Sequence, residues 1–125
     1  MYLDWKFTDD RPVYQQIMET LRSAIVTEKL QPGQKVPSTR DLAAQAKVNP
    51  NTMQRALTEM EREGLLVGCG TSGRLVTTDE TILSGLKDQM LNALAREYAA
   101  KCRALGLNAT QAAQLLEKLD HAGGL

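Results

Sequence analysis

The chain has 125 residues, 42% of them hydrophobic, and its 15 basic residues balance its 15 acidic residues, so the formal net charge is zero. This length allows one or two small domains and excludes a large ligand-binding domain beside a DNA-binding one. Aromatic residues make up only 4% of the chain, which argues against base stacking and hence against single-stranded nucleic acid. Because the chain lacks general basicity, any DNA affinity must come from the placement of charges and from two copies acting together.

Residues suited to catalysis or metal binding are scarce. The only histidine, His121, lies near the end of the sequence, and no Ser/His/Asp or Cys/His set is available. Cys69 and Cys102 are far apart and lack ligand spacing, so we predict neither a metal nor a cofactor. Without a signal peptide or an apolar run near 18 residues, we expect a cytoplasmic protein that does not contact membranes. Without a catalytic set of residues, we expect that it is not an enzyme. A redox role for Cys69 stays open.

The first 36 residues predict an extended segment, a helix that supports the two helices after it, and a turn. Apolar residues alternate near the start, which favours a short extended segment: Tyr2, Leu3, Trp5 and Phe7. A helix is predicted to begin at Pro12 and to run to about Glu28, because apolar residues then recur at helical spacing. Pro32 and Gly33 form a turn. Val36 is expected to be extended because it precedes a proline.

Residues 37–62 predict two helices joined by a tight turn. Ser38 is a good N-cap for the first helix, and Lys47 and Val48 form the turn. Asn49 caps the second helix, and Pro50 takes its first position, where a missing N–H costs nothing. The second helix has one apolar stripe at positions i, i+3, i+4 and i+7, formed by Met53, Ala56, Leu57 and Met60.

The opposite face of this second helix carries amides, hydroxyls and a guanidinium, from Asn49, Asn51, Thr52, Gln54, Arg55 and Thr58. No acidic residue occurs between Leu42 and Thr58. Such a helix can enter the major groove of DNA, where amides pair with adenine and arginine with guanine. An ordinary solvated helix face is the alternative. The arrangement of a short helix, a turn and a capped longer helix favours DNA reading.

Residues 65–77 predict a β-hairpin. Two β segments, 65–67 and 74–77, flank a tip that is rich in glycine. This hairpin would form a wing beside the second helix, and its glycines would let the backbone approach a phosphate or a minor groove closely. The alternative is a hairpin that only closes the core. The glycine spacing is not a nucleotide-binding signature, because neither a Rossmann context nor a GK[ST] sequence accompanies it.

Residues 78–125 predict two further helices. Asp79 can cap a helix that runs to about residue 105, and Gly106 ends it. Asn108 and Gln111 have capping-box spacing for the final helix. These helices cannot bury both apolar faces against a small domain, so a second copy of the chain is the simplest partner. The alternative is a monomer whose helical hairpin folds back. A symmetric dimer would hold two reading helices about 34–36 Å apart, as adjacent major grooves require.

The run LQPGQKVPSTRDLAAQAKVNPNTMQRALTEMEREGLLVGCGTSGRLVT, residues 30–77, strongly resembles the winged helix-turn-helix domain of the GntR family of bacterial transcription regulators. The run RPVYQQI, residues 11–17, and the short helical C-terminal part resemble its YtrA-type subgroup. The resemblance implies a mainly α fold with a small β wing, with a DNA-binding domain in residues 1–77 and a two-helix dimerisation region in residues 78–125. It also implies a homodimeric repressor of a palindromic operator in double-stranded DNA. Subgroup members often lie beside ABC-transporter genes, which suggests control of such an operon.

Carried over by position, the resemblance places the DNA contacts on three segments. Arg40 falls on the arginine that contacts DNA from the helix before the turn, and Gly73 falls on the wing glycine near the minor groove. The start of the recognition helix supplies the remaining contacts of the family. The full set that we expect to bind DNA is Ser38, Thr39, Arg40, Asn49, Asn51, Thr52, Gln54, Arg55, Thr58, Gly73 and Arg74.

The sequence departs from the family pattern at two places. Many relatives carry basic residues at the wing tip, whereas this chain has Cys69, Gly70, Thr71 and Ser72. A phosphate contact by the wing would then rest on Arg74. Many relatives also have arginine where Gln54 stands, and glutamine shifts the expected preference toward adenine. A small-molecule effector is left unidentified. The alternative function is an adaptor that docks onto another protein without binding DNA specifically.

Overall fold

A computed structural model describes residues 3–123, so the prediction for Tyr2 lies outside the described residues. The chain divides into two compact units, Met1–Leu86 and Lys87–Leu125. The helices and strands, in chain order, are α1 (Val13–Val26), β1 (Lys35–Val36), α2 (Thr39–Ala46), α3 (Pro50–Arg62), β2 (Leu66–Gly68), β3 (Arg74–Val76), α4 (Glu80–Ala104) and α5 (Ala109–His121). The predicted fold class, mainly α with a small β wing, is confirmed. The predicted division between residues 77 and 78 concerns function and stays a prediction.

The core of the first unit is built around α3. The four residues of its apolar stripe, Met53, Ala56, Leu57 and Met60, are all 0% exposed, and both α1 and α2 pack against this helix. Because the stripe is buried under α1, α2 and β2, the opposite face of α3 is left to solvent. The apolar periodicity therefore determines which side chains of α3 are available to a ligand.

The turn between α2 and α3 has the caps that the sequence predicts. The Ser38 hydroxyl accepts from the backbone N–H of Asp41 at 3.1 Å, and the Asn49 side chain accepts from the N–H of Asn51 at 2.7 Å. Lys47 ends α2 in a left-handed conformation, with φ +57° and ψ +47°. This conformation costs a residue with a Cβ about 1–2 kcal/mol. Because both caps bond to the backbone, they fix the angle at which α3 leaves the turn.

Helix α1 ends at Val26, so the predicted end near Glu28 was wrong. Glu28 has φ +60°, which takes the chain out of the helix. In the turn after α1, the Leu30 N–H donates to the Ala24 oxygen at 3.0 Å. This turn brings the Leu30 side chain into the core, where it is 0% exposed. Burial of this leucine outweighs the helical tendency of the two residues after Val26.

The N-terminal segment packs on α1 through a buried glutamine. Gln16 is 3% exposed, and its side chain accepts from the Thr8 N–H at 2.8 Å and donates to the Thr8 oxygen at 2.9 Å. Leu3 is buried, and the stacked rings of Trp5 and Phe7 are half-buried. The alternating apolar residues therefore face the protein interior more than the residues between them, although residues 3–8 form no strand.

The small sheet has three antiparallel strands in the order β1-β3-β2, whereas the sequence predicts only the β2–β3 hairpin. Strand β1 pairs Lys35 with Leu75, and β2 pairs Gly68 with Arg74. Strand β2 begins and ends one residue later than predicted, because the Leu65 N–H bonds to the Met60 oxygen at 3.0 Å in the turn that follows α3. Strand β3 ends at Val76, one residue before the predicted end. The added strand ties the wing to the segment that leads into α2.

In the second unit, the C-terminal part of α4 and helix α5 form a hairpin. The predicted capping box is confirmed, with both Asn108–Gln111 hydrogen bonds at 2.9 Å. The Tyr98 hydroxyl donates to the Ala112 oxygen at 2.7 Å, and Cys102 is buried. Six leucines remain exposed along this hairpin: Leu91, Leu94, Leu105, Leu115, Leu116 and Leu119. Among residues 3–123, no helix combines the length and the apolar composition needed to cross a bilayer.

Candidate nucleic-acid interface

The candidate interface is the exposed side of α3, which we call the reading face: Asn49, Asn51, Thr52, Gln54, Arg55 and Thr58. All six side chains are exposed or half-buried. At the N-terminal end of α3, Pro50 has no N–H and the N–H of Asn51 bonds to the Asn49 side chain, but the positive end of the helix dipole still favours an anion such as a phosphate. The structure thus brings the predicted recognition-helix residues together on one accessible surface.

The cations around the reading face are available to a ligand. Within residues 3–123, no carboxylate lies within ion-pair distance of Lys35, Arg40, Lys47 or Arg55. Arg40 and Lys47 are exposed on α2 and at the turn after it. Sequence reasoning did not select Lys35 or Lys47, although the position of Lys47 between the two helices was a usable signal. Three of these cations lie on α2, on α3 and on the turn between them, and the fourth, Lys35, lies beside Gly73 of the wing.

The three glutamates at the far end of α3 are neutralised by arginines. Glu59 pairs with Arg62 at 2.8 Å, and Glu63 pairs with Arg22 of α1 at 2.5 Å. Glu61 accepts from the guanidinium of Arg74 in β3. Because each glutamate has a partner, their charges do not oppose an anionic ligand at the other end of the helix as strongly as the sequence suggests.

Arg74 connects the wing to α2 and α3. Its side chain is 17% exposed, and in addition to the bond with Glu61 its Nη1 donates to the Thr39 hydroxyl at 3.2 Å. A guanidinium held in this way is less free to reach a phosphate than the sequence suggests. The wing has a second feature at Gly73, where φ is +88° and ψ is −142°. Only glycine adopts this conformation readily.

A chain of hydrogen bonds continues from Thr39 along the reading face. The Thr39 hydroxyl lies 2.9 Å from Oε1 of Gln54, and Nε2 of Gln54 donates to the Thr58 hydroxyl at 3.3 Å. Three of the predicted site residues are therefore joined in one network with Arg74. Thr39 is half-buried, whereas Gln54 and Thr58 are exposed.

Arg55 is held by a residue that sequence reasoning assigned to the support helix. Its guanidinium carbon lies 3.8 Å from the centroid of the Tyr14 ring of α1. A cation over an aromatic face in an exposed setting gains about 0.5–1 kcal/mol. Tyr14 therefore limits the directions in which Arg55 can extend from the reading face.

Comparison with known proteins agrees with this geometry. Residues 13–76 match the family model described as bacterial regulatory proteins, gntR family. The chain is 31% identical over 97% of its length to the whole of an uncharacterised HTH-type transcriptional regulator, YhcF, of Bacillus subtilis. A second relative is the HTH-type transcriptional repressor YtrA of the same organism. The two sequences are 40% identical over an aligned stretch that covers 44% of this chain and 42% of YtrA.

Two solved structures extend the comparison. A GntR family transcriptional regulator from Listeria monocytogenes superposes with a TM-score of 0.84 at 29% identity, over 90% of this chain and 98% of that one. The DNA-binding domain of AraR in complex with operator ORX1 superposes with a TM-score of 0.56 at 28% identity, over 62% of this chain and 99% of that one. The predicted family resemblance, including that to YtrA-type regulators, is confirmed.

Proposed function

The chain belongs to the GntR family of bacterial regulatory proteins, and we propose that it acts as a homodimeric repressor that binds a palindromic operator in double-stranded DNA. It is a transcriptional regulator with a DNA-binding domain, not an enzyme. The observation that carries the proposal is the reading face of α3, which is accessible, capped and surrounded by unpaired cations. Base pairs would be read by Asn51 and Gln54, and phosphates would be bound by Arg40 and the N-terminus of α3.

Dimerisation is proposed from the leucines of the second unit. Leu94 is 61% exposed, and Leu115 and Leu119 are 42% and 45% exposed on α5. Apolar side chains in such number along one helical hairpin are typical of an interface, because leaving them in water forgoes about 25 cal/mol for each square ångström. A twofold dimer would present two reading faces to the two halves of a palindrome.

Repression is proposed because YtrA of Bacillus subtilis, one of the relatives, is named a repressor. Control of a neighbouring ABC-transporter operon is proposed from the resemblance to the YtrA-type subgroup. The alternative, a protein-docking adaptor, was based on the neutral net charge. The pairing of Glu59, Glu61 and Glu63 with arginines weakens that argument, because the cations of the reading face are not neutralised by these acids.

The test is fluorescence anisotropy of the full chain on DNA from its own upstream region, with scrambled DNA of equal length as the control. We expect specific binding, two chains for each site, and a salt dependence that reflects the unpaired cations. If all four cations of both copies contact phosphates, the slope of log K against log salt should be about −7. Equal affinity for scrambled DNA, or binding that salt does not weaken, would contradict the proposal and favour the adaptor.

A further inference from the structure

The hydrogen-bond chain from Arg74 to Thr58 has a defined direction. A guanidinium carries only donors, so the Thr39 oxygen must accept from Arg74 at 3.2 Å. The single Thr39 hydroxyl proton is then directed to the Gln54 carbonyl oxygen at 2.9 Å. The Gln54 amide nitrogen in turn donates to Thr58 at 3.3 Å. Donation thus runs from the wing, through α2, to the reading face.

This direction fixes the orientation of the Gln54 amide. An amide on an exposed glutamine is otherwise free to exchange its oxygen and nitrogen by rotation about its last torsion. In this structure the oxygen faces Thr39 and the nitrogen faces Thr58. Each end keeps one unused site, because the oxygen has two lone pairs and the nitrogen two hydrogens. Those sites suffice for a bidentate contact with adenine, whose N6 amino group donates and whose N7 accepts.

We propose that Thr39 is a positioning residue for base readout: it holds the Gln54 amide in one orientation and so determines which strand of an A·T base pair carries the preferred adenine. Rotation of the amide would place its donor and acceptor in the reverse order, which matches adenine on the other strand. This proposal rests on the proposed DNA-binding function. Arg74 of β3, which is itself held by Glu61 of α3, donates to Thr39, so strand β3 contributes to the orientation without contacting the base.

The variant that tests the proposal is Thr39→Val, which removes the hydroxyl and keeps the branched shape. Thr39→Ser is the matched control, because it keeps the hydroxyl that links Arg74 to Gln54. Thr39→Ala removes the same hydroxyl with a smaller side chain and serves as a second probe if the valine variant does not fold. Circular dichroism and melting curves confirm the fold of each variant before DNA is added.

The DNA is defined by selection with the wild-type full chain from a pool of random duplexes at fixed salt. The base pair read by Gln54 is the one at which Gln54→Ala loses discrimination. Dissociation constants are then measured for two duplexes that carry A·T or T·A at this position. A good bidentate contact gives discrimination of about 5- to 150-fold, so we expect the wild type and Thr39→Ser to prefer A·T over T·A at least fivefold.

We expect Thr39→Val to bind the A·T and T·A duplexes with affinities within about twofold of each other, since either amide orientation becomes available. Its salt slope should equal that of the wild type, because no cationic group is removed. Equal weakening on both duplexes with the A·T preference intact would show a merely structural role and overturn the proposal. So would a selected site in which Gln54 reads no A·T pair. A wild type that selects no sequence would instead remove the DNA-binding function itself, and this proposal with it.

Discussion

Arg40→Ala removes one exposed guanidinium from α2 of each chain, and the proposed dimer would lose two phosphate contacts. Each phosphate contact releases counterions and adds about 0.9 to the steepness of log K against log salt. At 0.15 M salt this release contributes about 1 kcal/mol to the binding free energy. The dimer would lose about 2 kcal/mol, or roughly 30-fold in affinity. The slope should become less steep by about 1.8. Since Arg40 has no ion-pair partner within residues 3–123, the melting temperature should not change.

The assay is anisotropy on the selected operator between 50 and 200 mM salt. Lys29→Ala is the control for the loss of one positive charge. Lys29 follows the C-terminal end of α1, and Tyr14, near the other end of that helix, contacts Arg55 on the reading face. At 1.5 Å for each helical residue, Lys29 is roughly 20 Å from that contact. Unchanged affinity in Arg40→Ala would refute the assignment. A loss of affinity with an unchanged salt slope would show that Arg40 acts on something other than a phosphate.

Three further predictions concern residues outside the recognition set. Tyr14→Leu removes the ring that orders Arg55, so operator affinity should fall a few-fold in titrations while Tyr14→Phe stays near wild type; a gain in affinity would contradict this. Leu94→Asp should convert the dimer to a monomer in sedimentation equilibrium and weaken operator binding without loss of helical signal; a persistent dimer would contradict the proposed interface. Tyr98→Phe should lower the free energy of unfolding, because the bond to Ala112 is lost. Burial raises the pKa of Tyr98 above its ordinary value of 10.0, so the neutral phenol is favoured in the folded chain, and its contribution to stability is present below pH 10 and is lost as the pH rises through the raised pKa. Thermal melts above pH 10 should therefore show a steeper loss of stability in the wild type than in Tyr98→Phe.

Local signals were enough to predict most of the helices. Asn49 followed by Pro50 marks the start of α3, and Asn108 with Gln111 marks the start of α5, because a capping side chain bonds within three residues of itself. Strand β1 was not predicted as part of the sheet. It has two residues, and its pairing with β3 depends on a partner far along the chain, which no local pattern records. Its extended conformation was still predicted from the proline that follows.

The sequence predicts which residues belong to the candidate site, but it does not predict which side chains they contact. The period of α3 determines that Gln54 and Thr58 are exposed, because the apolar stripe occupies the other side of the helix. The partners of Arg55 and Arg74 lie on other elements, on Tyr14 of α1 and on Glu61 of α3. Such pairings depend on how helices and strands pack in three dimensions. The sequence therefore shows that Arg74 is a cation of the wing, while its attachment to the recognition helix requires the structure.

The zero net charge of the chain has a consequence for specificity. Counterion release at phosphates supplies nearly all non-specific DNA binding, and it increases with the number of unpaired cations. In this chain Arg22, Arg62 and Arg74 are committed to glutamates, so only a few cations near the reading face remain for phosphates. A regulator with this charge distribution should bind random DNA weakly, and a larger share of its operator affinity must come from base contacts. The orientation of the Gln54 amide then matters more than it would in a strongly basic protein.

Introducing basic residues at the exposed wing tip, for instance with Thr71→Lys, should raise the affinity for operator DNA and for random DNA alike, and so lower the ratio of the two affinities. An unchanged ratio in the same anisotropy assay would show that the wing tip does not approach the phosphates.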